Sequence, residues 1–211
     1  AEAMRPSYVE TLFDQYAPRF DAALTEGLAY RGPALLRAAV ARACAAARFA
    51  AVLDLGCGTG LAGLAFRPLA GRLTGVDLSA GMLALARDKK VYDALHHGDI
   101  AAFLAQESAA SARYDLVLAA DVFAYFADLA PVTAAVARVL APGAVFAFTV
   151  ETHPGDGVVL GEKLRYAHGA AHVRAALAAA GITAIDVSDA ATRTEAGVAV
   201  PGLVVVARRA S

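Results

Sequence analysis

The run Val52-Leu53-Asp54-Leu55 carries an acid into three glycines at alternate positions, Gly56, Gly58 and Gly60. A buried strand that empties into such a turn brings backbone against a ligand, because only glycine leaves room for that approach. The spacing is G-x-G-x-G. A dinucleotide fingerprint would need a glycine at position 61, where Leu61 stands. Asp54 discriminates further: a carboxylate at the mouth of the loop repels a diphosphate and attracts a ligand carrying an ammonium and a sulfonium. Cys57 lies inside the loop, where a small side chain suffices.

Two more acids stand at the ends of predicted strands, Asp77 and Asp99. Asp77 follows Asp54 by 23 residues, a spacing that suits a carboxylate accepting from both hydroxyls of a ribose. Asp99, beside apolar Ile100, is placed to accept from an adenine amino group, and Met82 to pack on the adenine face. Asp54 and Asp99 could each instead cap the turn or helix that follows. Three caps falling in order on three ligand positions would be a coincidence.

The elements that must position these residues alternate between strand and helix. Pro33 opens a predicted helix running to about Ala47, and Ala51–Leu55 is the first strand. Leu61–Phe66 begins a helix; Leu73–Val76 is a strand ending at Asp77; Ser79 caps the next helix. A short strand at Ala94–His96 leads to a helix ending near Gln106. Tyr114–Ala120 is an almost uniformly apolar strand, as expected where both faces are covered. A helix over Leu129–Leu140, a Pro142-Gly143 turn and a strand over Ala144–Val150 follow. Residues 151–169 read as a long polar loop with a functional role. Beyond them come a helix over Ala171–Ala180 and two strands, Thr183–Val187 and Leu203–Ala207, which no helix joins and which must therefore be antiparallel. The alternation predicts an α/β, doubly wound sheet. Residues 1–48 are expected to form an N-terminal helical lid and first helix, and residues 49–211 the ligand-binding domain.

Residues 52–60, 75–82, 98–100 and 114–121 together resemble the motifs of class I S-adenosylmethionine-dependent methyltransferases. The resemblance implies a Rossmann-like sheet of order 3-2-1-4-5-7-6 with strand 7 antiparallel, and S-adenosyl-L-methionine as cofactor. It implies cofactor contacts from Asp54, Gly56, Cys57, Gly58, Gly60, Asp77, Leu78, Met82, Asp99, Ile100 and Ala120. A closer similarity rests on residues 8–17, 121–125, 165–168 and 200–203, which look like predicted methyltransferases often found behind tetratricopeptide repeats. No repeat is present in this sequence, but an upstream repeat domain in a longer parent chain is consistent with a first residue that is Ala1, with Met4 three positions later.

Methyl transfer from a sulfonium is an in-line displacement whose leaving group needs no activation. Alignment alone contributes on the order of 7–11 kcal/mol, and a general base roughly 10²–10⁴-fold where the acceptor carries a proton. Acceptor-side candidates cluster after the fourth and fifth strands: Asp121, Tyr125, Glu151, His153, Tyr166 and His168. His168 is the foremost candidate proton carrier, because imidazole titrates near neutrality, with Tyr166 two residues before it. A loop histidine can equally serve as a surface or hydrogen-bonding residue, and Asp121 either orients the acceptor or caps the next turn. Glu151, an acid ending a strand, faces the cleft or pairs with a base such as Arg165. Residues 8–20 form the expected lid, with Tyr16 and Phe20 covering the cofactor. The expected acceptor is a small molecule or a carrier-bound acyl group. A cofactor-binding protein without turnover is the alternative. A nicotinamide-dependent oxidoreductase is disfavoured by the glycine spacing, by Asp54 and by the lack of a Tyr-x-x-x-Lys pair, since Ala170 follows Tyr166 at that spacing.

Composition sets the outer bounds. Apolar residues are 58% of 211 and mean hydropathy is +0.51, but alanine inflates both, and no run of roughly 18 strongly apolar residues suggests a membrane span. Net charge is −1 with no basic stripe, which argues against a nucleic-acid partner. Cys44 and Cys57 form neither a CxxC pair nor a disulfide framework. The histidines and acids lack metal-ligand spacing, so no metal is expected. With no signal-peptide pattern, the expected location is cytoplasmic.

Overall fold

The computed structural model describes residues 10, 11, 13, 14, 30–44, 48–161, 163–195 and 197–211. In chain order the elements are α1 (Gly32–Ala43), β1 (Phe49–Leu55), α2 (Leu61–Phe66), β2 (Ala70–Asp77), α3 (Ala80–Asp88), β3 (Ala94–His97), α4 (Ile100–Ala109) and β4 (Tyr114–Ala119). Then follow α5 (Ala130–Val139), β5 (Leu140–Glu151), β6 (Val158–Leu160), β7 (Tyr166–His168), α6 (Ala170–Ala179), β8 (Ile182–Asp189), β9 (Thr194–Glu195), β10 (Val198–Ala199) and β11 (Gly202–Arg209).

The main sheet runs β3-β2-β1-β4-β5-β11-β8. Pairing is parallel from β3 to β5, while β11 is antiparallel to both β5 and β8. With β8 and β11 counted as the sixth and seventh strands, this is the expected order and the expected antiparallel strand. Alternation of side chains explains why the sheet is covered twice. In β11, Leu203, Val205 and Ala207 join one apolar cluster and Val204 and Val206 the other; in β4, Val117 and Ala119 oppose Leu116 and Leu118. Residues from α4, α5 and α6 cover the first face, and residues from α1 and α2 the second. Among the described residues, no helix is long and apolar enough to cross a membrane.

Two local expectations are corrected. The Pro142-Gly143 turn lies inside β5, which starts at Leu140 and absorbs the pair through a register shift against β4. Residues 151–169 are more than a loop: β6 and β7 form a hairpin there, and β7 pairs parallel with β5 at Glu151↔Ala167. That pairing lies beyond the last β4 pair with β5, Ala119↔Phe148, so β7 continues the lane that β4 vacates. Strand order reverses between β1 and β4, and the crevice for a ligand opens at the carboxyl ends there. Both the glycine loop and the β6–β7 hairpin belong to that end of the sheet.

Candidate functional site

Asp54, on the penultimate residue of β1, is 1% exposed. Its Oδ2 accepts a hydrogen bond from the Tyr92 hydroxyl at 2.6 Å, and its Oδ1 is enclosed without a partner. Burial pushes its carboxyl up to about 7, with the Tyr92 hydroxyl pulling it down and Asp77 adding to the rise. A buried carboxylate oxygen with no donor is costly unless a cation or donor completes it. Gly58, at φ +53°, has open space where a Cβ would stand, so backbone can approach a ligand from the glycine loop. An orphaned anionic oxygen beside an open backbone cradle fits the ammonium-bearing end of the expected cofactor.

The other predicted cofactor contacts divide. Asp77 closes the loop from below: Oδ2 accepts from Gly58 N at 2.8 Å and Oδ1 from Ser79 N at 2.9 Å. Each of its oxygens keeps a further lone pair. Asp99 does cap α4, accepting from Ala102 N at 3.0 Å through Oδ1, while its Oδ2 makes no hydrogen bond among the described residues. Leu78 is half-buried, and its carbonyl lies 2.8 Å from His97 Nε2. Ile100 and Cys57 are buried, and Ala120 and the loop glycines Gly56 and Gly60 border the crevice end of β4 and β1. Met82 is buried at 1% exposure on α3, and its N–H donates to the Ser79 cap at 3.0 Å.

Tyr16 and Phe20, expected in the lid, lie outside the described residues. Described residues of the same segment do reach across the crevice. Asp14 accepts from the Ser79 hydroxyl and from Gly81 N (3.1 Å) at the start of α3, and the Ser79 bond holds its carboxyl below the usual range. Phe13 meets Tyr125 edge to face at 5.5 Å, and Glu10 lies 3.8 Å from His97. These described residues therefore meet both the start of α3 and Tyr125, in the turn after β4.

On the acceptor side the structure gathers some candidates and separates others. Asp121 follows β4 in the left-handed region at φ +60°, its N–H donating to Thr149 Oγ1 at 2.8 Å. Two arginines converge on it. Arg165 donates to Asp121 Oδ1 (3.0 Å), to Glu151 and to the Tyr125 hydroxyl (2.5 Å). Arg193, 4% exposed, donates to both oxygens of Asp121 (3.1 and 3.4 Å), to Glu151 (2.6 Å) and to Glu195. Burial pushes the Asp121 carboxyl up, and the two arginines pull it back. A cavity of about 260 Å³ lies over this cluster, lined by Glu151, Gly161, Lys163, Arg165, Arg193 and Glu195.

His168 and Tyr166 are not placed as the expected proton carriers. His168 has 0% exposure; its Nε2 lies 3.2 Å from the Phe123 carbonyl, and its ring stacks on His172 at 5.6 Å. Tyr166 is buried as well. An imidazole so enclosed anchors β7 under the turn after β4 and cannot exchange a proton with a bound acceptor. Burial holds the His168 imidazole below its usual range, so the folded chain takes up its proton later than the unfolded chain as pH falls. The stability that His168 contributes is therefore complete above about pH 6.5 and lost as pH drops through its lowered value. His168→Gln is expected to flatten the fall in melting temperature between pH 6.5 and 5; an unchanged profile would contradict this placement. His153 stays near the Gly157 carbonyl at 3.3 Å, within its own loop.

Two residues that hold the candidate site's acids carry little sequence signal. Tyr92 is threaded beneath the glycine loop: a Cβ on Gly63 would sit 2.3 Å from its hydroxyl, and one on Gly75 2.9 Å from its ring. Arg193 lies between two strands in a segment without periodicity. A basic residue flanked by β-formers is common, and only the tertiary fold brings this one to Asp121. Among the described residues, no cluster of three or more His, Cys, Asp or Glu could hold a metal.

Residues 53–148 match the methyltransferase domain family. Over 104 residues the chain is 39% identical to the malonyl-(acyl-carrier protein) O-methyltransferase of Enterobacter lignolyticus, covering 49% of this chain and 40% of that protein. The chain spans less than half the length of the curated relatives it matches. Among solved structures, the (4+2)-cyclase SpnF superposes with a TM-score of 0.75 at 17% identity, covering 99% of this chain and 98% of that one. The 1,6-didemethyltoxoflavin-N1-methyltransferase of Burkholderia thailandensis superposes with a TM-score of 0.70 at 20% identity, covering 100% and 93%. Matched region and matched architecture agree: residues 53–148 are similar to a methyltransferase domain, and the chain shares the fold of these solved structures.

Proposed function

We propose that the protein transfers the methyl group of S-adenosyl-L-methionine to a small molecule or to a carrier-bound acyl group. One observation carries the cofactor assignment: the enclosed, partnerless Asp54 Oδ1 beside the open backbone at Gly58. The fold alone would not suffice, since a cyclase shares it. The acceptor class is supported by relatives named for methylating malonyl-(acyl-carrier protein).

When bound, the cofactor supplies an electrophilic methyl group on a sulfonium. Asp54 Oδ1 would hold its ammonium, Asp77 its ribose hydroxyls, and Asp99 with Ile100 its adenine. Tyr92 keeps Asp54 oriented through the 2.6 Å hydrogen bond. Phe13 and Asp14 would exclude water by bridging Tyr125 and Ser79. Asp121, fixed by Arg165 and Arg193, forms the wall on the acceptor side.

Calorimetric titration with S-adenosylhomocysteine is expected to give micromolar binding. Gly58→Ala fills the cradle while disturbing little else, because a left-handed alanine costs about 1 kcal/mol, or about 2–4 °C of melting temperature at this size. At least tenfold weaker binding with the fold retained is expected. An absence of heat with the unaltered protein would remove the assignment.

A further inference from the structure

Glu195 is held as a bound ligand would be. Its Oε1 accepts from Nε and Nη2 of Arg193 at 3.0 and 2.8 Å, and its Oε2 accepts from Lys163 Nζ. It stands on the two-residue strand β9, which among the described residues pairs with β10, and it lines the 260 Å³ cavity. We propose that this cavity receives the carboxylate of a carboxylic-acid acceptor and that Glu195 fills its place in the acceptor-free protein. The proposal rests on the methyltransferase reading above and names its acceptor class.

Charge and donor inventory point the same way. Three cations, Arg165, Arg193 and Lys163, meet three carboxylates, Asp121, Glu151 and Glu195. Asp121 and Glu151 follow or end central strands and are each shared between both arginines, so neither can leave without stranding two guanidinium groups. Glu195 differs. Its bond to Lys163, whose side chain is 67% exposed, is a surface pair of the kind worth no more than about 1 kcal/mol. When Glu195 withdraws, Arg193 Nε and Lys163 Nζ are released together, and the cavity holds one excess positive charge. A carboxylate restores both the hydrogen bonds and the balance, with the planar fork of Arg193 matched to its geometry. A neutral acceptor would leave the excess charge, and a cationic one would add to it.

The chemistry also fits the burial of the two expected proton carriers. An ionised carboxylate oxygen supplies the electron pair of the new O–CH3 bond. The S–CH3 bond of the sulfonium donor breaks with its pair left on sulfur, and no proton moves. Burial of His168 and Tyr166 is then no handicap. The product ester is uncharged, so it holds neither Arg193 nor Lys163 against the returning Glu195, and product release follows from the loss of charge.

Malonate is a small dicarboxylate probe for this cavity, and malonamide its uncharged counterpart. Calorimetry with the full chain, with and without S-adenosylhomocysteine, is expected to show malonate binding Glu195→Gln at least tenfold more tightly than the unaltered protein. Malonamide should show no such gain. Adding Lys163→Ala, at an exposed position, should cancel at least threefold of the improvement without changing the melting temperature. Malonate affinity indifferent to Glu195→Gln, or malonamide responding equally, overturns the proposal. Intact S-adenosylhomocysteine binding in the same preparations would then leave the cofactor assignment standing, whereas its absence would remove that assignment as well.

Discussion

Asp54→Asn is expected to weaken S-adenosylhomocysteine binding ten- to a hundredfold at pH 8 while leaving the ligand-free fold at least as stable. The two effects separate because the carboxylate is a burden until a cation meets it. Asp54 is 1% exposed with Oδ1 partnerless, and burial raises its carboxyl to about 7. An amide of the same shape removes that penalty. It also removes the charge that would pair with the ligand's ammonium, a contribution of about 1.5–3 kcal/mol, and 1.4 kcal/mol is about tenfold in affinity. The pH dependence follows with a definite sign. The folded pKa lies above the unfolded 3.8, so the ligand-free native state holds more protons between those values and loses stability as pH rises from about 4 to 7. Ligand binding runs the opposite way, because it needs the ionised form. Affinity should be about tenfold lower at pH 6 than at pH 8. Asp54→Asn should abolish that slope. Titrations at the two pH values, with melting curves on the same samples, check both statements; a variant that binds as tightly as the parent would sink them.

Arg193→Met is expected to lower the melting temperature by about 6–20 °C. Arg193 is 4% exposed and donates to Asp121, Glu151 and Glu195. Its loss leaves Asp121 and Glu151 with Arg165 as their one remaining cation. Removing one partner of a buried ion pair costs about 3–5 kcal/mol, because the other stays behind uncompensated, and each kcal/mol shifts the melting temperature by about 2–4 °C at this chain length. The pair between Arg42 and Asp186 provides the contrast. The Arg42 side chain is 56% exposed, so Arg42→Ala should change the melting temperature little. Thermal denaturation of the two variants side by side decides it; similar shifts would mean that the cluster is as solvated as the surface pair.

Part of this protein is legible in its linear pattern. The glycine loop, Asp54 and Asp77 could be read directly, because a strand that ends in a ligand-facing turn concentrates its constraints within a few adjacent residues. The strands buried on both faces declare themselves through continuous apolar runs such as 114–120, and the helices through their caps: Ser79 does accept from Met82 N at 3.0 Å. The antiparallel pairing of β8 and β11 followed from the absence of a crossover helix between them.

Other features depend on distant segments meeting. β7 has three residues and pairs with β5 at a single register position, too short for any periodicity to show. Its placement in the lane beyond β4 turned His168, whose residue type suggested a base, into a buried anchor. Tyr92 reaches Asp54 across 38 residues of sequence, and Arg193 reaches Asp121 across 72. Neither partner carries a local mark of that contact, since a phenol or a guanidinium on a connecting segment looks the same whether it faces water or a buried acid. The chain's own pattern thus determined the sheet, the loop and the acids that suit the cofactor. Tertiary packing decided which further charges gather around Asp121, Arg193 and Glu195 among them, because electrostatic neutrality in a buried cluster is settled by neighbours in space.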